Sequence, residues 1–581
     1  MCRHHPSPRG GRIRAACNLC RQKKIRCDGG KPACETCRLA GMKCIITPQD
    51  PSQKKPLLRD QLAKAQSRIQ ELEARLSTPQ LTSGVRICDQ GNFVEAMEVF
   101  KRHLACAGPV SANAPWKEAF LCTPHNRAGY TFDIDSFTAS VAEEYNAKHA
   151  KRPSKALRPK WPAIGLIRQC IEHYESHHLY SIFPFVEPCD YKALVNKYAT
   201  NLLPPTEHTV ALALLAAFTA FMTQIHRHLP AFANAEPDCY ILAALTLTPH
   251  VLMEPTSIEG LQAVVILAHY MTPTGNSESG QLLLGVAVRM LYNLGAHSMY
   301  PTHVNQQQHA HLRALFWACY AMDKEMSIRG SQPPLIHDED CDLDLPLNYI
   351  HSTSEGQYSS ELLSSNTLLY LSDLRLAMLK SKIYRLLTSS QAQAHPRPRR
   401  LEYIRQLDQE LSELKARFPP HFQPDPTAYL RPDYRVHDLS LRGMNIHLEY
   451  YYCLRIIHEA SIVSSTTYPG APTPLESSVE LYYHAVRSKL LYFIRAEGLI
   501  QAPTIWIHAQ LILSSVIALF LDMIHNPAAT TFHADLRILE QMRDLFARLC
   551  ENCWETAPLA PLFIFEAFLG RLVGLVKGAD G

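Results

Sequence analysis

Residues 17–44 read CNLCRQKKIRCDGGKPACETCRLAGMKC. Six cysteines stand there at a repeated spacing: Cys17-x2-Cys20-x6-Cys27, then Cys34-x2-Cys37-x6-Cys44. Two cysteines three apart in a tight turn can chelate one metal ion, so each Cys-x2-Cys is half of a tetrahedral thiolate site. Counting ligands separates the readings. One zinc held by Cys17, Cys20, Cys34 and Cys37 leaves Cys27 and Cys44 idle and the repeat unexplained. Two tetrahedral zincs need eight ligand positions, which six thiolates fill when two of them bridge the metals. A disulfide framework is the third reading, and it needs an oxidising compartment for which the sequence gives no sign.

Between Cys20 and Cys27 the chain crowds Arg21, Lys23, Lys24 and Arg26. The formal charge of +4 over 581 residues conceals this concentration: residues 1–59 carry about fourteen Lys/Arg against three Asp/Glu, near +11, and the remainder is near −7. The asymmetry points to a polyanionic partner for the head alone, nucleic acid before an anionic membrane surface. Asn18 reads as the N-cap of a short helix through LCRQKKI. Gly29, Gly30 and Pro32 mark a turn between the halves. A segment of this length cannot bury enough apolar surface to fold by itself, so zinc must supply most of its folding free energy, on the order of 10 kcal/mol per structural ion.

With all six cysteines, the basic run and Lys31-Pro32 ahead of Cys34, the stretch resembles the DNA-binding domain of fungal Zn2Cys6 (binuclear zinc cluster) transcription factors. The resemblance implies two Zn2+ ions bridged by Cys17 and Cys34, and a loop proline, often cis, at Pro32. It also implies that Lys24, with Lys23 beside it, contacts the guanines of a CGG-type triplet; a lysine ammonium can donate to O6 and N7 of guanine. Arg21, Arg26 and Arg38 then hold phosphates, giving register and salt dependence rather than sequence choice.

TPQDPSQKKP is polar and broken by prolines, so it reads as a linker. Beyond it Leu58, Leu62, Ala65, Ile69, Leu72 and Leu76 alternate spacings of four and three, with Leu62, Ile69 and Leu76 at a and Leu58, Ala65 and Leu72 at d of a short coiled coil. An amphipathic helix packed on its own chain would show the same pattern, but the family usually dimerises here, so a homodimer is expected. The domain expectation is a basic tail at 1–14, the zinc module at 15–46, a linker at 47–57, the dimerisation segment at 58–78, a connector at 79–130 and a helical domain at 131–581.

From about Thr131 long apolar-periodic segments alternate with proline-rich breaks, and Leu401, Ile404, Leu407, Leu411, Leu414 and Phe418 mark one helical face. The fold class is therefore mainly α: a small zinc cluster module, a short coiled coil and a large all-α regulatory domain. Residues 261–297 and 312–346, with Phe316-Trp317, Asp323, Pro333-Pro334 and an acidic run ending at Pro346, are similar to the fungal-specific transcription factor domain, the middle homology region of zinc cluster regulators. Two apolar stretches, 210–225 and 505–524, read as buried core helices: the first is too short to span a bilayer, and the second carries His508, Gln510 and Asp522. No membrane partner is expected. Scattered cysteines such as Cys88, Cys170, Cys319 and Cys550 read as buried thiols of a reducing compartment, and MCRHHPSPRGGRIR has no apolar run of a secretory signal.

Enzymatic signatures are missing. Asp340, Asp342 and Asp344 open like a calcium loop, but Leu345 stands where a turn glycine is needed and His351 where a bidentate Glu is needed. His173 and His177 share a helical face without a metalloprotease motif, and Cys550-x2-Cys553 has no second pair. The expected function is a nuclear, sequence-specific regulator of RNA polymerase II genes. The resemblance favours a pathway-specific activator of secondary-metabolite or nutrient-utilisation genes, with coregulators or a small effector at the helical domain. The rival is an interaction protein in which the zinc module is only a structural clip.

Overall fold

The computed structural model describes residues 16–47, 139–141, 143, and 158–579 apart from 272–276, 300–305, 331, 347, 350–366, 419–421, 426, 428–436, 467–475, 501–504 and 553–558. The coiled-coil positions Leu58 to Leu76, the basic tail, most of the linker and connector, and Cys88, His351 and Cys553 lie outside the described residues. The chain divides into two compact units, Met1–Gly84 and Val85–Gly581. In the first, helices α1 (Asn18–Gln22) and α2 (Glu35–Leu39) face each other.

The second unit is helical, and among its described residues the sole β-type contact is an isolated bridge between Tyr349 and Leu368. Its helices are α3 (Ile164–Ser176), α4 (Pro188–Ala199), α5 (Pro205–Ile225), α6 (Pro237–Met253), α7 (Ile258–Met271), α8 (Ser277–Asn293), α9 (Gln306–Gly330), α10 (Leu374–Ile383), α11 (Ser390–Gln393), α12 (Arg397–Ala416), α13 (His437–Thr466), α14 (Glu476–Arg495), α15 (Ile505–His525), α16 (Phe532–Asn552) and α17 (Leu559–Ala579). Several of the proline breaks are helix starts: α4, α5 and α6 each begin on proline, whose missing N–H has no partner to lose in a first turn. Neighbours in sequence pack as pairs, α5 with α6, α7 with α8, α13 with α14 and α16 with α17. Helix α7 is buried on all sides, from Gly260 through Ala268 and on to Met271, and so forms an inner element. On α12 the expected face is the buried one, with Ile404, Leu407, Leu411 and Leu414 inside; Phe418, just past the helix end, is buried too.

One expectation changes. Helix α5 starts before Val210, so Glu207–Ile225 is 19 residues, long and apolar enough to cross a membrane. Here it is a core helix, with Leu214, Ala216, Ala217 and Phe218 buried against the rest of the unit.

The residues that carried the resemblance in this unit form a clamp. Asp323 accepts the backbone N–H groups of Leu335 and Ile336 at 2.8 and 3.1 Å, just after Pro333-Pro334, and Lys324 donates to the Ile336 carbonyl. Arg313 donates to the carbonyls of Ala296, Asp342 and Asp344 at 3.0, 2.6 and 3.4 Å. A buried Asp, Lys and Arg thereby satisfy the backbone of an irregular segment that no helix can pair. Asp342 accepts from the Met299 N–H at 2.8 Å, so this acidic run is bound to the protein's own backbone.

Candidate metal centre and nucleic-acid interface

Each short helix of the first unit starts on a cysteine. Cys17 and Cys34 occupy the N-cap positions with extended φ/ψ of −64°, 161° and −64°, 154°, and neither side chain caps its helix. Asn18 is therefore not the cap expected from the sequence but the first helical residue: a thiol turned toward its partners takes the cap position. The Asn18 side chain instead donates to Thr47 Oγ1 at 2.6 Å, and its backbone N–H bonds the Ile45 carbonyl at 2.9 Å, tying the start of the module to its end.

The cap cysteine and the residue three later lie on one helix face, so Cys17 and Cys20 point the same way, as do Cys34 and Cys37. The sulfurs meet at the centre. Cys17 Sγ lies 3.7 Å from Cys34 Sγ and 3.6 Å from Cys37 Sγ, and Cys20 Sγ lies 3.8 Å from Cys34 Sγ. Two tetrads have all their sulfurs within 4.8 Å of one another: Cys17, Cys20, Cys27 and Cys34, and Cys17, Cys34, Cys37 and Cys44. Cys17 and Cys34 belong to both. Four thiolates about 2.3 Å from a tetrahedral zinc stand roughly 3.8 Å apart, so the donor set and its spacing fit that ion. All six are free thiols.

Cys17 and Cys20 differ in acidity. The backbone N–H of Cys20 and neighbouring thiols bring Cys17 down to about 6, against burial, whereas burial pushes Cys20 up to about 12. Loading the site must displace protons.

The loop between the halves contains a cis Lys31-Pro32 bond, and Asp28 reaches across it to accept the N–H of Glu35 at 3.1 and 3.2 Å. Asp28 was not singled out in the sequence; its contact depends on how the loop closes.

Both helices end in the same hydrogen-bond pattern. In α1 the N–H of Lys24 bonds Arg21 O and that of Ile25 bonds Cys20 O; in α2 Gly41 bonds Arg38 O and Met42 bonds Cys37 O. This termination requires a left-handed residue, for which glycine is the usual choice. Gly41 supplies it at φ 60°, but the equivalent residue of the first half is Lys24, at φ 53°. The cationic residues Arg21, Lys23, Lys24 and Arg26 are all exposed. Arg21 also reaches the Ala16 carbonyl at 3.3 Å, and Arg38 lies 4.0 Å from Glu35.

Elsewhere, the His173 and His177 rings stack at 3.9 Å, and His177 Nδ1 lies 3.0 Å from the His173 carbonyl. Among the described residues no histidine, cysteine or carboxylate trio outside the cysteine cluster converges as a metal site.

Residues 15–54 match the fungal Zn(2)-Cys(6) binuclear cluster domain and residues 171–416 match the fungal specific transcription factor domain. An ABC-transporter-regulating transcription factor of Aspergillus oryzae is 21% identical over 93% of this chain and 71% of its own length. A fusaridione A cluster transcription factor of Fusarium heterosporum is 24% identical over 69% of this chain and 75% of its own. An agnestins biosynthesis cluster transcription factor of Paecilomyces divaricatus is 23% identical over 75% and 69%.

Proposed function

The chain is a fungal transcription factor of the Zn2Cys6 type, and on that premise we propose that it is a pathway-specific regulator reading CGG-type triplets as a homodimer. The domain implies zinc and DNA binding, and the regulator class implies a nuclear site of action. The observation that carries the reading is the pair of sulfur tetrads sharing Cys17 and Cys34. In this reading one Zn2+ takes Cys17, Cys20, Cys27 and Cys34 and the other takes Cys17, Cys34, Cys37 and Cys44. When bound, the ions supply cross-links between thiolates and no reaction chemistry.

Lys24 and Lys23 are the base-contacting residues. Lys24 sits at the close of α1 in a conformation that costs roughly 1–2 kcal/mol for a residue with a Cβ, and such strain at an exposed cation supports a functional demand on that position. Arg21, Arg26 and Arg38 hold phosphates. Leu58, Leu62, Ala65, Ile69, Leu72 and Leu76 form the dimer seam, and the helical domain is the regulatory part, meeting coregulators or a small effector. Relatives that regulate ABC transporters or biosynthetic clusters support target genes of that kind; in this reading RNA polymerase II transcribes them and activation is the mode.

The test is selection from random duplex DNA by the zinc-loaded full chain. Enrichment of two CGG-like triplets at a fixed spacing is expected. Binding without enrichment and with steep salt dependence alone would overturn the reading.

A further inference from the structure

A cluster of ion pairs is buried between α9, α10 and α13 of the second unit. Arg329 and Lys380 share Glu325, Lys380 also bonds Glu449, and Arg455 holds Glu459 at 2.8 Å. Each of these carboxylates thus already has a cation. Lys489 of α14 joins the cluster as one cation more: Tyr452, Cys453, Arg455 and Glu459 of α13 and Arg329 of α9 surround it. Its side chain is fully buried, and among the described residues its Nζ has no hydrogen-bond partner. A lysine ammonium carries three donors and no acceptor, so burial in that state is costly unless something accepts from it.

A second unpartnered group stands beside the first. Both ring nitrogens of His508, on α15, lack a hydrogen-bond partner among the described residues, and the residue is fully buried. Phe493 lies one turn along α14 from Lys489, on the same face, and its ring is 6.4 Å from the His508 imidazole. Arg329 acts on Lys489 and His508 alike. Burial, with Arg329 adding to it, holds His508 down to about 3, so its ring is neutral and keeps one N–H to donate. Buried polar groups are nearly always hydrogen-bonded, and here two donors from two helices lack an acceptor where cations exceed carboxylates. A metal ion has the wrong sign for this place. The neighbouring side chains Phe493 and Ile512, one turn from Lys489 and His508 on their own helices, are apolar and fully buried.

We propose that Lys489 and His508 form the polar end of a binding site for a short aliphatic carboxylate, whose charge meets the Lys489 ammonium and the His508 N–H while its alkyl chain lies against Phe493 and Ile512. Without the ligand, desolvation and the nearby Arg455 and Arg329 favour the neutral amine. The undissociated acid supplies the proton: its O–H bond breaks, an N–H bond forms at Nζ, and the resulting ion pair brings no net charge into the interior. As the site of an effector, this assignment rests on the reading of the helical domain as the regulatory part, and it names the chemical class of that effector.

The experiment uses the zinc-loaded full chain, dialysed free of carboxylates, with three probes: butyrate, its neutral isostere butyramide, and chloride at matched ionic strength. Butyrate is expected to raise the Tm of the helical unit with a saturable dependence on concentration, while butyramide and chloride do not. Lys489→Met removes an unpaired buried amine, so it should raise the Tm of the ligand-free chain and at the same time weaken butyrate by about tenfold or more. His508→Leu, which keeps an apolar side chain in the interior, should weaken butyrate as well. No saturable butyrate shift in the wild type, an equal shift with butyramide or chloride, or a butyrate shift unchanged in Lys489→Met would overturn the proposal. DNA selection by the same samples separates the two claims. Triplet enrichment without butyrate binding overturns this site and leaves the reading of the zinc module standing. Butyrate binding that leaves DNA affinity and reporter transcription unchanged supports the site and removes regulation from it.

Discussion

In residues 16–47 the buried side chains are five cysteines, whereas in the second unit they are Trp317, Tyr174, Phe185, Phe218 and a continuous apolar network running from α3 to α17. Ile25, Leu39, Met42, Ile45 and Ile46 of the first unit are all more than 40% exposed, so its apolar side chains do not make a core. The same solvent therefore stabilises the two units by different means. The second gains from apolar burial, at about 25 cal/mol per Å² removed from water. The first has thiolate-to-metal bonds in place of that term. Each unit should consequently fail under a treatment that spares the other.

Chelation should have the largest effect. Removing zinc takes away on the order of 10 kcal/mol per ion from a unit with nothing in reserve. A chelator is expected to abolish DNA binding while the helical circular dichroism and the thermal transition of the second unit persist. DNA affinity surviving complete zinc removal would break the comparison at its first term.

Acid should act on the second unit by another route. Half-buried His269 and buried His311 and His447 are pushed down to about 4, and buried His508 to about 3, in each case chiefly by desolvation. Unfolded, each has a pKa near 6.5 and binds a proton that the folded form refuses. Their stability contribution is present above pH 6.5 and is lost as the pH falls toward 4 and then 3, at about 1.4 kcal/mol per pH unit for each titrating group. Glu449 and Glu459, raised by burial, take up protons in the folded chain and subtract from that slope at its acid end. Urea midpoints of the helical transition should fall steeply between pH 6.5 and 4; a flat profile would mean that these imidazoles reach water.

How much of this was legible in the sequence follows the same division. The cysteine repeat and the apolar face of α12 are local patterns, with ligands or contacts at fixed short spacings, and both could be read directly. Asp28 on Glu35, Arg313 on three distant carbonyls and Asp323 on Leu335 could not, because each pairs a side chain with backbone whose position only the finished fold sets. Asn18 misled for a related reason: its residue type suits a cap, but the demand on the neighbouring thiol took that position.

Lys489 sharpens the second half of the comparison. It is fully buried on α14, its Nζ has no hydrogen-bond partner among the described residues, and it rests 4.8 Å from the centre of the Tyr452 ring. Desolvation, with Arg455 and Arg329 nearby, holds its pKa well below the usual lysine value. Its folded form thus refuses a proton that the unfolded chain binds, so its cost is largest below its folded pKa and fades as the pH rises toward 10.5. Lys489→Met keeps the chain length and removes the polar end, and should stabilise the helical unit by roughly 1–3 kcal/mol near neutral pH. The gain should shrink in alkaline buffer. A destabilised variant would show that the amine has a partner that matters more than its desolvation.

The smallest expected change tests the first unit at one residue. Lys24 and Gly41 hold the same left-handed position in the two halves, and a Cβ at Gly41 would meet nothing within 4 Å, so the penalty there is backbone conformation alone. Lys24→Gly should therefore stabilise the zinc-loaded module by roughly 1 kcal/mol, and Gly41→Lys should cost about as much. If the module existed only to hold itself together, Lys24→Gly would be an improvement in every assay. As a base-contacting residue, the same substitution should instead lose triplet discrimination by about 1–3 kcal/mol while the fold becomes more resistant to unfolding. Opposite signs in the two measurements, from one side chain, separate what zinc holds in place from what the module is built to present. A stabilised variant with unchanged selectivity would take Lys24 out of the DNA interface.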